Sequence, residues 1–144
     1  MTAIGKWSLA LACAAGLGGT AVLAQDTTKA VGASLFGENE VGHEGAGDDA
    51  GGDFSGEIDL EAGTLCYYLE TYGLDTVTAA HVHKAKEGAN GPPVVVLMAD
   101  EDDETCAEVE ADVLADIAAH EDRYYVNVHT EAYPAGAIRG QLGN

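Results

Sequence analysis

The chain has 144 residues, with 25 acidic against six basic side chains and a formal net charge of −19 at pH 7. A field of that sign excludes charge-driven binding to nucleic acid or to an anionic membrane surface. The length suits one domain with a single core and leaves no room for two.

Residues 1–24 hold one charge, Lys6, then an uncharged apolar run that closes on Val22-Leu23-Ala24. That pattern reads as a secretory signal peptide cleaved before Gln25. A membrane anchor is the competing reading, but the run barely reaches spanning length and is interrupted by Gly16, Gly18 and Gly19. A lipoprotein site at Cys13 fits less well, because Ala10 stands where a bulky aliphatic residue is wanted. All 25 acids lie beyond this segment, so the exported chain is expected to be strongly acidic, periplasmic or secreted, with no membrane span after cleavage.

Lys29 to Phe36 reads as a first strand, and the Gly- and acid-rich stretch at 42–52 as a flexible loop in which His43 is solvated. In "GDFSGEIDLEAG" strict alternation places Phe54, Gly56, Ile58 and Leu60 on one face. The Glu61-Ala62-Gly63 turn then leads into "TLCYYLETYG", with Leu65, Tyr67 and Leu69 on one side and Cys66, Tyr68 and Glu70 on the other. Further strands are expected at Val77 to Lys84 and Pro93 to Met98. Neither "GENEVGHEGAGDDAGGD" nor "ADEDDETCAEVEAD" has the spacing of a calcium loop, so both acidic runs read as solvated surface. "EADVLADIAAH" is the one helical patch, with Val113, Leu114 and Ile117 on a single face and His120 at its negative end.

The last strands are expected at Tyr124 to Thr130 and Ala137 to Leu142, joined by a turn in which Pro134 presets φ and Gly136 supplies positive φ. Tyr124, Val126 and Val128 share one face, and Tyr125, Asn127 and His129 the other. Short strands separated by turn signals predict an all-β fold, an antiparallel Greek-key-like β-sandwich of about seven or eight strands with one short helix. Export would remove Cys13 and leave Cys66 and Cys106 with only each other, a structural disulfide.

The candidate chemistry lies in "TAAHVHK". Period-two geometry sends His81 and His83 to one face with Cα atoms roughly 6.5 to 7 Å apart. His129, from a strand that can neighbour theirs, would supply a third nitrogen for copper or zinc and leave one position open. The competing reading is a structural clasp. In it His81 donates to a backbone carbonyl, Asn127 ties a strand edge, and Arg139 pairs with Glu131 or another carboxylate. No serine lies in a nucleophile-elbow context and no phosphate loop opens a helix, so no catalytic residue is assigned.

"NEV" at Asn39 to Val41, "GTLCYYL", "TAAHVH", "GPPVVVL" and "YYVNVHTEAYPAGAIRGQL" resemble, in order and spacing, the CHRD domain named from chordin and common in exported bacterial proteins. The resemblance runs from about Ala33 to Leu142, so that residues 25–144 read as a single CHRD domain. It implies an extracytoplasmic, β-rich, non-enzymatic module that acts by binding or by structural presence, its partner an extracytoplasmic protein or a metal ion. The chain departs from the family pattern after Val41, where Gly42-His43 and the acidic insert replace the usual prolines. "AAHVHKA" is also similar to the His-Val-His strand of copper and zinc superoxide dismutase. That enzyme, however, uses six histidines and an aspartate, and this chain has five histidines in all. A copper or zinc binding protein is therefore the second expectation and a dismutase-like metalloenzyme a weak third.

Overall fold

Alternating apolar residues draw eight strands into one antiparallel sheet. The strands are β1 (Thr28–Phe36), β2 (Gly51–Asp59), β3 (Thr64–Tyr72), β4 (Val77–Lys84), β5 (Pro93–Leu97), β6 (Thr105–Glu108), β7 (Tyr124–Thr130) and β8 (Ile138–Gln141). The computed structural model describes residues 26–98 and 103–143, and the signal-peptide reading of residues 1–24 falls outside them. Among the described residues no helix is long and apolar enough to cross a membrane.

The hydrogen-bonded order is β5-β4-β7-β8-β1-β2-β3-β6, every pair antiparallel. The sheet curls until its two edges approach. Tyr67 of β3 spans the gap, its hydroxyl accepting from the Met98 N–H at 2.7 Å just beyond β5. Read across that gap, β3, β6, β5 and β4 follow a Greek-key order. The all-β antiparallel class is as the sequence predicts, carried by one curled sheet.

Inside the curl lie Val31, Leu35, Phe54, Ile58, Leu65, Tyr67, Leu69, Val82, Val126, Val128 and Ile138, each at most 4 % exposed. The helix α1 (Ala111–Ala119) adds Leu114 and Ile117 to the same core. Leu60, expected to share a face with Phe54 and Ile58, is 42 % exposed. The strand stops one residue earlier, where the Asp59 carboxylate accepts from the Glu61 and Ala62 N–H groups and starts the turn. β6 is a strand that alternation does not announce. It pairs with β3 in a register that sets Cys66 opposite Cys106, and the two are joined by a disulfide.

The acidic stretch after Val41 is anchored at its centre. Ala46 is buried and its N–H donates to the Ala137 carbonyl at 2.7 Å, while β2 already begins at Gly51. Gly37 packs so close to the Ala46 backbone that an added Cβ would meet the Ala46 carbonyl oxygen at 1.7 Å.

Candidate functional site

Pairing of β4, β7 and β8 builds a polar patch on the sheet face away from the core. His83 stands opposite Tyr125 and His81 opposite Asn127, while Ala79 stands opposite His129. On the other side of β7, Tyr125 faces Gln141 and Asn127 faces Arg139. Val82, Val126 and Val128, one step out of phase, fill the core. The register of β4 slips between Val82 and His83 against β5 and between Val77 and Ala79 against β7. Such bulges re-aim side chains.

Loops cover this face. Tyr125, Asn127 and Arg139 are each at most 3 % exposed. Arg139 draws in one loop, its guanidinium donating to the Ala89 carbonyl at 2.7 Å and to Asn90 Oδ1 at 2.9 Å. Asn90 in turn donates to the Val41 carbonyl at 3.0 Å, and Asn39 to the Arg139 carbonyl at 3.0 Å, which holds the other loop. The guanidinium also lies 3.5 Å from the centre of the Tyr125 ring, against which His83 is stacked. Glu131 is exposed in the turn after β7 and takes no part in this clasp.

Glu40 is the carboxylate of the site and was hidden in the sequence among so many acids. Its side chain is 3 % exposed; it accepts from Asn127 Nδ2 at 2.5 Å and lies 3.6 Å from His43 Nε2. Burial pushes its carboxyl above the ordinary carboxylate range, against the opposing pull of the Asn127 hydrogen bond and the His43 and Arg139 charges. Asn127 Nδ2 also donates to the Ile138 carbonyl at 3.1 Å, across the β7–β8 pair. Gly136 adopts a φ of +144°, and a Cβ there would meet Glu40 Oε1 at 2.5 Å. The glycine of the Pro134 turn is thus required twice, by its backbone and by the carboxylate beside it.

The three histidines come together. One ring nitrogen from each of His81, His83 and His129 lies within 4.8 Å of the others. The ring centres are 5.5 Å apart for His81 and His83, and 5.3 Å for His81 and His129. His83 Nδ1 bonds the Gly91 carbonyl at 2.9 Å and His129 Nδ1 the Pro134 carbonyl at 3.2 Å. A carbonyl only accepts, so each Nδ1 carries the proton and each Nε2 keeps a free lone pair. Burial lowers the pKa of both rings, helped by the charge of His81 near each, so both are neutral at pH 7. His81 Nδ1, His83 Nε2 and His129 Nε2 are all buried with no hydrogen-bond partner.

The remaining histidines sit elsewhere. His43 lies beside Glu40, and His120 closes α1 with its ring on the Asp116 carboxylate at 3.1 Å. Asp116 also accepts from Lys84 at 2.6 Å and from the Tyr124 hydroxyl, a separate network under the helix.

Comparison with curated proteins and with solved structures returns no match. The profile of the CHRD domain matches residues 31–142. Because that match covers nearly the whole of the 144-residue sequence, including every strand of the polar patch, the chain belongs to the CHRD domain family.

Proposed function

We propose that this protein is an exported, non-enzymatic binding module of the periplasm or the cell exterior, and that it binds on the loop-covered face of β4, β7 and β8. The family is at its coarsest a non-enzymatic binding domain. Export is supported by the signal-like residues 1–24 and by the Cys66–Cys106 bridge, since disulfides persist in oxidising compartments.

The observation that carries the binding reading is the contrast within one face. Asn127, Arg139 and Tyr125 all find hydrogen-bond partners, yet three ring nitrogens beside them are buried and unpaired. Each unsatisfied buried polar atom costs roughly 1–3 kcal/mol. Three at one point mark a place where something else completes the bonding.

The test is to recover the protein from fractionated cells and weigh it under native conditions. The reading expects a chain beginning at Gln25, outside the cytoplasm, with its thiols blocked and a bound mass that disappears in His129→Gln. A cytoplasmic chain that retains residues 1–24, or one that always weighs as the bare polypeptide, contradicts it.

A further inference from the structure

We infer that His81 Nδ1, His83 Nε2 and His129 Nε2 form a mononuclear site for a copper or zinc ion. This inference rests on the binding-module reading and names its ligand.

The argument starts from the clasp alternative. If the histidines only tied strands together, their ring nitrogens would be spent on backbone groups. His83 and His129 each spend one, on Gly91 and Pro134, and each keeps the opposite nitrogen buried without a partner. A histidine whose Nδ1–H is held by a carbonyl while Nε2 stays bare is the arrangement that orients a metal ligand and fixes its tautomer. Here it occurs twice, on two strands, aimed at one place.

The third nitrogen comes from His81, two residues from His83 on the same strand. Its orphaned atom is Nδ1, so the set mixes one Nδ1 with two Nε2 donors. Bonds of about 2.0–2.1 Å to a common ion bring three nitrogens nearer to one another than the 4.8 Å within which they already lie. The register of β4 shifts within the pair, between Val82 and His83, and again before it, between Val77 and Ala79, and such shifts re-aim side chains.

The donor chemistry selects the ion. Calcium and magnesium take oxygen ligands, and three imidazole rings offer none. Imidazole suits copper and zinc, and among the described residues no cysteine or carboxylate joins the cluster. Three protein ligands leave a coordination position open, the pattern of a site that exchanges its fourth ligand rather than a closed structural one. The stacking of His83 on Tyr125, which Arg139 fixes from β8, holds one ligand ring in place before the ion arrives.

The experiment titrates copper(II) and zinc(II) separately into the purified, disulfide-bonded protein. Wild type is compared with His81→Ala, His83→Gln, His129→Ala and His129→Gln, and with His120→Ala as a variant outside the site. The expected result is one ion per chain, retained in His120→Ala. In each ligand variant affinity should fall by more than the roughly 100-fold that loss of an outer partner costs. Far-ultraviolet circular dichroism of the metal-free variants must match wild type, and His129→Gln keeps the side-chain volume should His129→Ala fail to fold. Copper(II) outbinds zinc(II) at most imidazole sites, so the metal recovered with the native protein identifies the ion.

Two results would overturn the site: no stoichiometric uptake of either metal, or uptake that survives in the folded ligand variants because it belongs to the acidic surface. A recovered native mass adduct that is not a metal would sink this inference and leave the binding-module reading standing. A bare chain that also takes up no metal would sink both.

Discussion

His81 meets His129 diagonally across the β4–β7 pair with ring centres 5.3 Å apart and planes at 66°, and each ring leaves a buried nitrogen unpaired. The seven-pair ladder between β4 and β7 brings both rings to one chemical point. The loops over that point are held by Arg139 and its neighbours.

Replacing Arg139 by Met should therefore cost more than a lost surface charge. The Ala89 carbonyl and Asn90 Oδ1 lose their donors, and the buried Glu40 loses a positive neighbour. Hydrogen bonds to a charged group typically contribute about 1.5–3 kcal/mol. Urea unfolding should show a loss of that order, with faster amide exchange in residues 85–91. A loss within the range of an exposed substitution would mean the clasp carries no weight.

Glu40 makes a prediction whose sign depends on pH. Its folded pKa is raised, first by burial, so its contribution is full below the unfolded value and lost as the pH rises through the folded one. Glu40→Gln retains an oxygen for Asn127 and carries no charge. The stability of Glu40→Gln relative to wild type should increase as pH climbs above the ordinary carboxylate range. A constant difference from acid to neutral pH would show that Glu40 ionises freely.

Asp116 behaves in the opposite sense. Hydrogen bonds from Lys84 and then Tyr124 hold its carboxyl down at about 2 against an ordinary 3.8. Its contribution is present above the ordinary value and lost as the pH falls toward about 2. Asp116→Asn should thus be less stable than wild type near neutrality, with the gap closing through that acid window. Lys84 is half exposed, which keeps the effect small.

The disulfide restrains an edge. Cys66 and Cys106 are 40 residues apart and pair in register between β3 and β6. A Cys66→Ser, Cys106→Ser double variant should lose roughly 4 kcal/mol in the chain-entropy account. Amide exchange should quicken first in β6, the edge strand with the fewest residues.

Much of this architecture is legible in the sequence because it rests on period two. Alternation alone sends Val126 and Val128 inward and His129 outward, and it places His81 and His83 together. Pro134 and Gly136 announce the β7–β8 turn, which in turn sets Asn127 opposite Arg139. Glu40 is different. It meets Asn127 across 87 residues, and nothing local separates it from the other acids of the chain. Asn90, 49 residues from both Val41 and Arg139, has the same character. β6 escaped because four residues with two acid-flanked small side chains show no alternation worth reading, and its place follows from the partner cysteine. The turn sequence after β7 names Glu131 as a partner for Arg139, whereas a loop arriving from elsewhere in the chain supplies Ala89 and Asn90 instead.

The most direct measurement is a long-range proton–nitrogen correlation spectrum of the histidine rings, recorded before and after one equivalent of zinc. The account predicts protonated Nδ1 on His83 and His129 in the metal-free protein. On zinc addition, large shifts should fall on His81 Nδ1, His83 Nε2 and His129 Nε2 alone, with His43 and His120 unchanged. Rings that keep their metal-free shifts, or shifts confined to His43 and His120, would contradict it.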